Sequence, residues 1–265
     1  MAYFRNDGCQ LHYEEYGVGT PVVLLHGLGS STRDWENQTS ALAAQYQVIL
    51  FDLRGHGRSD RPREDYSIEG FADDVLALLD HLQLPQVHLV GISMGGMVAF
   101  QLAVDHPQRL LSLTIVNSSP EVKVNSLASA MQLGKRWLFS RLLSMQSIGK
   151  MISQLLFPKP GQAAMRDQVV ERWRLNDKHA YLASLDAIIG WGVRKRLPTI
   201  ACPVLVVAAD QDYTPVAQKA AYVAELHDAR LQVIEDSRHA TPIDQAQRFN
   251  AVLLEFLDNI PTKEQ

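Results

Sequence analysis

Apolar residues in this chain arrive largely as short runs separated by longer stretches of helical period. Residues 21–25, 48–51, 87–90, 110–116, 203–209 and 231–235 are compact runs rich in Val, Ile and Leu. Runs of that length and type predict strands buried on both faces, as in a parallel sheet. Residues 35–44 and 68–82 carry helical spacing between them, the second opened by Ser67 as an N-cap. Residues 3–16, broken at Asp7-Gly8, predict an antiparallel hairpin leading in. From Ser119 to Pro198 the strand signal stops, and only helices are expected, among them 127–143 and 165–174. Strand–helix alternation resumes at Pro203 and ends in a helix over 243–257, capped by Thr241-Pro242. The pattern predicts an α/β fold with a mainly parallel central sheet flanked by helices. Its core would be residues 1–118 and 199–265, with a helical lid inserted at 119–198.

Open parallel sheets gather their chemistry just past the carboxyl ends of the strands. Past residues 87–90 comes Gly91-Ile92-Ser93-Met94-Gly95, followed directly by the apolar stretch 97–104, which suits a buried helix. A G-x-S-x-G at a strand-to-helix turn strains the serine backbone, and glycine on either side avoids collision with neighbouring chain. It also exposes the hydroxyl at a helix N-terminus, where amide groups face developing negative charge. A serine needs a base to act as a nucleophile. Residues 203–209 end in Asp210-Gln211-Asp212, and 231–235 are followed by Asp236-Ser237-Arg238-His239. Ser93, an aspartate, then His239 is a recognised chain order for a nucleophile, its orienting acid and its base. Two aspartates compete for the acid. Asp212 is preferred, with Asp210 orienting the loop or solvated. Thr214-Pro215 reads as an N-cap and first helical residue.

On these residues the chain resembles the α/β-hydrolase fold superfamily, in the branch of small esterases, enol-lactonases and cofactor-independent haloperoxidases. The likeness spans essentially the whole chain. It rests on His26-Gly27-Leu28-Gly29, on Asp52-Leu53-Arg54-Gly55-His56-Gly57-Arg58-Ser59, on the Ser93 turn, and on the late aspartate and histidine. The resemblance implies main-chain oxyanion donors at Leu28 and Met94, an architectural His56, and a vacant alternative acid position at Asn117. One departure is that Asp212 is followed by only Tyr213 and Thr214 before proline, one residue fewer than is usual, which keeps Asp210 in play. The implied activity is hydrolysis of a carboxylic ester or lactone through an acyl-serine. The same triad serves thioesterases, carbon–carbon bond hydrolases, perhydrolases and ligand-sensing receptors. A serine nucleophile disfavours haloalkane dehalogenase and epoxide hydrolase chemistry.

Bulk properties narrow the classes. A formal charge of −4 argues against nucleic acid as partner. No apolar run approaches the roughly 20 residues of a membrane span. Two cysteines without paired spacing and no secretory h-region suit the cytoplasm. No phosphate-binding or metal-ligating motif occurs, so no cofactor and no metal are expected, and the partner is a small molecule. Substrate choice falls to the lid, whose Met131, Met145, Met151, Met165, Trp137, Trp173, Trp191, Phe139 and Phe157 supply an adaptable apolar wall. Trp137, Met131 and Trp191 are the candidates for substrate contact. Residues 119–198 hold thirteen Lys and Arg against five Asp and Glu, leaving twelve basic and twenty-four acidic elsewhere. Such a split, with clusters at Lys135-Arg136 and Arg194-Lys195-Arg196, would steer an anionic substrate.

Overall fold

Eight strands form one sheet in the computed structural model, which describes residues 2–123 and 127–261. They are β1 (Ala2–Asn6), β2 (Cys9–Tyr16), β3 (Thr20–Leu25), β4 (Tyr46–Phe51), β5 (Val87–Ile92), β6 (Leu110–Val116), β7 (Val204–Ala209) and β8 (Ala229–Ile234). Their spatial order is β1-β2-β4-β3-β5-β6-β7-β8. β2 runs antiparallel to both β1 and β4, and every later pairing is parallel. The expected hairpin is β1–β2, turning through Asp7 and Gly8, both at positive φ. β5 and β7 are buried along their whole length, which is why neither alternates apolar with exposed polar residues; the one polar side chain of β5, His88, meets the Ser112 hydroxyl at 2.7 Å.

The pleat sends neighbouring residues of one strand to opposite faces. Val23 and Leu25 of β3 join a core with α2 (Ile68–His81) and α3 (Met94–Asp105), while Val22 and Leu24 meet Trp35 and α10 (Ala246–Asp258). α1 (Glu36–Leu42) packs on α10 on that second face. Ser67 caps α2 through a bond from the Gly70 amide, as its sequence predicts. Between β6 and β7 lie α4 (Leu127–Leu142), α5 (Met145–Leu156), α6 (Ala163–Arg174) and α7 (Lys178–Ile188). Residues 124–126 of that insertion and 262–265 of the expected core lie outside the described residues.

Two caps differ from expectation. α8 (Val216–Val223) has Pro215 itself as N-cap, because the Thr214 hydroxyl is spent on Asp212. The last helix is broken at Gln245 into α9 (Thr241–Asp244) and α10, with Ala240 preceding the first turn. The break lets the Asp244 carboxylate turn back to accept from Arg238 N at 2.8 Å and from Ser237 Oγ at 2.9 Å.

The charge split has a structural use. Lys159 pairs with Asp236, Arg172 with Glu36, Arg194 with Glu225 and Arg196 with Asp105, each joining the basic insertion to the acidic core. Two members of one expected steering cluster, Arg194 and Arg196, are therefore held in ion pairs with the core.

Candidate functional site

The Ser93 turn joins β5 to α3. Ser93 sits at φ 55° and ψ −117°, a conformation that costs a non-glycine residue of order 1–3 kcal/mol. Its surroundings over-determine it. The Ser93 amide donates to Val116 O at 3.0 Å, and its carbonyl accepts from the Ser118 hydroxyl at 2.7 Å. A Cβ at Gly91 would run into the Gly95 carbonyl, and one at Gly95 into the carbonyls of Leu25 and His26. Glycine is required at both positions by close approach of backbone. Met94 opens α3, where first-turn amides have no intrahelical acceptor.

The loop after β3 runs alongside. A Cβ built on Gly27 would lie 3.4 Å from the Ser93 Cβ, so Gly27-Leu28 borders the nucleophile position. His26 pins this loop: its Nδ1 meets Gly27 O at 2.8 Å and its Nε2 accepts from the Leu53 amide at 3.1 Å. Asp34 supports it from beneath, accepting from the Ser30 hydroxyl and the Gly27 amide, and burial pushes its carboxyl above the usual range. His56 is buried against His26, with Nδ1 on Arg54 O at 3.0 Å.

β7 and β8 deliver the remaining groups. Asp212, on the loop after β7, puts Oδ1 2.8 Å from His239 Nδ1, and the His239 loop follows β8. Its Oδ2 accepts from the buried Lys219 ammonium at 2.7 Å and from the Thr214 hydroxyl. Burial alone would raise the Asp212 carboxyl, but the His239 hydrogen bond and the Lys219 charge outweigh it and hold the group at about 2. Asp210 faces away, accepting from the Ser237 amide at 3.0 Å. Of the two aspartates left open by the sequence, Asp212 is the one paired with His239.

Asn117, expected only as a vacant acid position, and two residues given no role by the sequence, Lys219 and Tyr213, shape this arrangement. Asn117, at the end of β6, donates to His239 O at 2.9 Å and to the Thr241 hydroxyl at 2.8 Å. Its own oxygen accepts from the Ala209 amide at 2.8 Å, so one side chain ties the end of β7 to the His239 loop. Lys219 was readable only as a polar residue on a short helix. Tyr213 is the largest omission. Its hydroxyl lies 2.6 Å from His239 Nε2, and its ring stacks on the imidazole with centroids 4.2 Å apart and planes 30° apart. The residue is 48% exposed, whereas its hydroxyl end sits inside the site, and burial there pushes the phenol up to about 12.

Ser93, His239, Leu28 and Tyr213 open into a cavity of about 430 Å³. Its wall is chiefly one face of α5, with Ile148, Met151, Ile152 and Leu155, facing Trp173 of α6. The three residues of the insertion expected to contact substrate are elsewhere. Trp191 is buried with Nε1 donating to Gln101, Trp137 lies against Arg141 and Asp186, and Met131 is 54% exposed. None of the three lines the cavity, because helical register turned a different set of apolar side chains inward. Arg136 and Arg172 are the basic residues on its wall, the latter paired with Glu36. Among the described residues, no cluster of three or more His, Cys, Asp or Glu is placed to hold a metal ion, and no helix is long and apolar enough to cross a membrane.

Comparison with known proteins agrees with this architecture. Residues 20–246 match the α/β hydrolase fold family. The chain is 31% identical to 3-oxoadipate enol-lactonase 2 of Acinetobacter baylyi, over 91% of this chain and 90% of that one. The enol-lactonase of Burkholderia xenovorans superposes with a TM-score of 0.90 at 26% identity, covering 97% of this chain and 100% of that chain. Est816, an N-acyl homoserine lactone degrading enzyme, gives 0.83 at 30% identity over 96% and 100%. The strained serine turn, the strand order and these relatives agree, and the chain belongs to the α/β-hydrolase fold family as a hydrolase.

Proposed function

We propose that this protein hydrolyses a carboxylic ester or lactone with an apolar acyl part, through an acyl-enzyme on Ser93. The observation that carries the reading is the Asp212–His239 pair at 2.8 Å, set beside the Ser93 turn at the mouth of an apolar cavity. In this reading His239 Nε2 removes the Ser93 proton as Oγ attacks the carbonyl carbon, while Asp212 fixes the imidazole with its proton on Nδ1. The carbonyl oxygen, now negative, is held by the amides of Leu28 and Met94. Collapse breaks the bond to the leaving oxygen, which takes the proton from His239. Water then attacks the acyl carbon with His239 again as base and restores Ser93. The helices of residues 119–198 act as the lid that shapes the acyl site, with α5 as its wall. Enol-lactonase and homoserine-lactone relatives support a cyclic as well as an open ester.

The test is direct. Incubation with a serine-directed sulfonyl fluoride is expected to add one label at Ser93, read by intact mass and peptide mapping. Ser93→Ala should take no label and lose several orders of magnitude in turnover on a panel of acyl esters and lactones. A label elsewhere, or full activity in Ser93→Ala, refutes the assignment.

A further inference from the structure

The reaction above leaves the Tyr213 phenol without a task, yet that phenol occupies the centre of the site. His239 presents Nδ1 to the Asp212 carboxylate, so Nδ1 carries the proton and Nε2 is an acceptor. The Tyr213 hydroxyl therefore donates to Nε2 across 2.6 Å. Ser93 lines the same cavity as Tyr213 and His239. The phenol oxygen thus covers the imidazole nitrogen that the proposed reaction uses as its base.

That position has a chemical meaning. During acylation His239 Nε2 must hand its proton to the oxygen that leaves, so the leaving oxygen has to come within hydrogen-bond reach of Nε2 while its carbonyl carbon is on Ser93. The phenol oxygen already fills that place. The backbone bearing it is fixed, because Asp212 and Thr214, on either side, are both held by Lys219. The ring itself has an open outer face, with 48% of the residue exposed, so the side chain can turn outward without disturbing Asp212.

Resting on the Ser93–His239 reading, we propose that Tyr213 is the specificity-determining residue for the leaving group: its side chain occupies the leaving-group position in the resting site, and a substrate reacts when its leaving group displaces it. The acyl part is then selected by the α5 wall and the leaving part by competition with a tyrosine. A leaving group must replace both the bond to Nε2 and the ring contact on the imidazole, and a wide alkyl group replaces neither well.

The test uses one acyl chain carried on alcohols of increasing width, assayed with the wild-type protein, Tyr213→Phe and Tyr213→Ala. In the wild type, kcat/KM should fall at least tenfold from the narrowest to the widest leaving group. Tyr213→Phe keeps the ring and loses one hydrogen bond, so all esters should rise by about fivefold with the slope retained. Tyr213→Ala should flatten the slope. Parallel slopes for the wild type and Tyr213→Ala overturn the proposal. A uniform loss of activity in Tyr213→Phe also overturns it, since the phenol would then be a proton carrier and not an occupant. Sulfonyl fluoride labelling of the same three proteins keeps the underlying reading separate. Ser93 labelled in all three, fastest in Tyr213→Ala, supports both; absence of label on Ser93 in every one removes the nucleophile itself.

Discussion

Asp212→Asn separates two jobs that one carboxylate performs. Asp212 and Lys219 are 0% and 1% exposed at the side chain and meet at 2.7 Å. Asparagine in place of the carboxylate leaves an ammonium in the interior without a counter-charge, facing the Thr214 carbonyl and hydroxyl, each at 2.7 Å, and a neutral amide oxygen. Breaking a buried pair from one side costs about 3–5 kcal/mol, and the amide oxygen still available puts this case near about 3 kcal/mol. Protonation reports the same interactions independently and is not added to them. The carboxyl is held at about 2 in the folded protein, against about 3.9 in an unfolded chain, which corresponds to about 2.5 kcal/mol. The folded pKa is depressed, so this stability is present in full above about pH 4 and is lost as pH falls through about 2. Urea midpoints at neutral pH should place Asp212→Asn about 3 kcal/mol below the wild type. Adding Lys219→Met removes the stranded charge, and the double variant should recover to within about 1.5 kcal/mol. Turnover should fall on the order of 10⁴-fold in both, because asparagine presents His239 with the wrong tautomer. A cost below about 1 kcal/mol for the single variant, or a double variant no better than the single, refutes the account of Lys219. Activity returning together with stability refutes the orienting role of Asp212.

Asn117→Ala should cost about 2–3 kcal/mol, because the buried Ala209 amide loses its acceptor and the His239 loop loses its tether; kcat should fall more than KM rises, as steady-state kinetics on a short ester will report. Ile152→Trp should fill part of the 430 Å³ cavity and shift chain-length preference towards shorter acyl groups, seen as an inverted ratio of kcat/KM between short and long acyl esters; an unchanged ratio would place the acyl chain elsewhere.

How much of this was legible depends on how local each feature is. The serine turn is written into five consecutive residues, because backbone collision at Gly91 and Gly95 leaves little freedom of sequence. The sheet was legible for the same reason: strands buried on both faces are dominated by apolar, β-branched residues, and Leu110–Val116 is read to the residue despite Ser112 and Thr114. The choice between Asp210 and Asp212 is not local. Both follow the same strand, and what separates them is the buried Lys219 amine seven positions on, in a helix whose polar face would ordinarily point to water. The acyl wall failed for a different reason. Counting aromatics and thioethers in the insertion gives no direction, and so Met131, Trp137 and Trp191 were chosen although none reaches the cavity. A direction was nonetheless present in α5, where Ile148, Met151, Ile152 and Leu155 recur at three- and four-residue spacing and mark one helix face. Composition names the material of a pocket, whereas periodicity names the face that lines it, and in a segment with no sheet to set register only the second can locate a substrate. Tyr213 lies between these cases. The missing residue before Pro215 was visible as a departure in spacing, but a spacing fixes only where the backbone turns. That the displaced side chain lands on His239 Nε2 follows from the stacking of two rings contributed by loops after different strands, 26 positions apart.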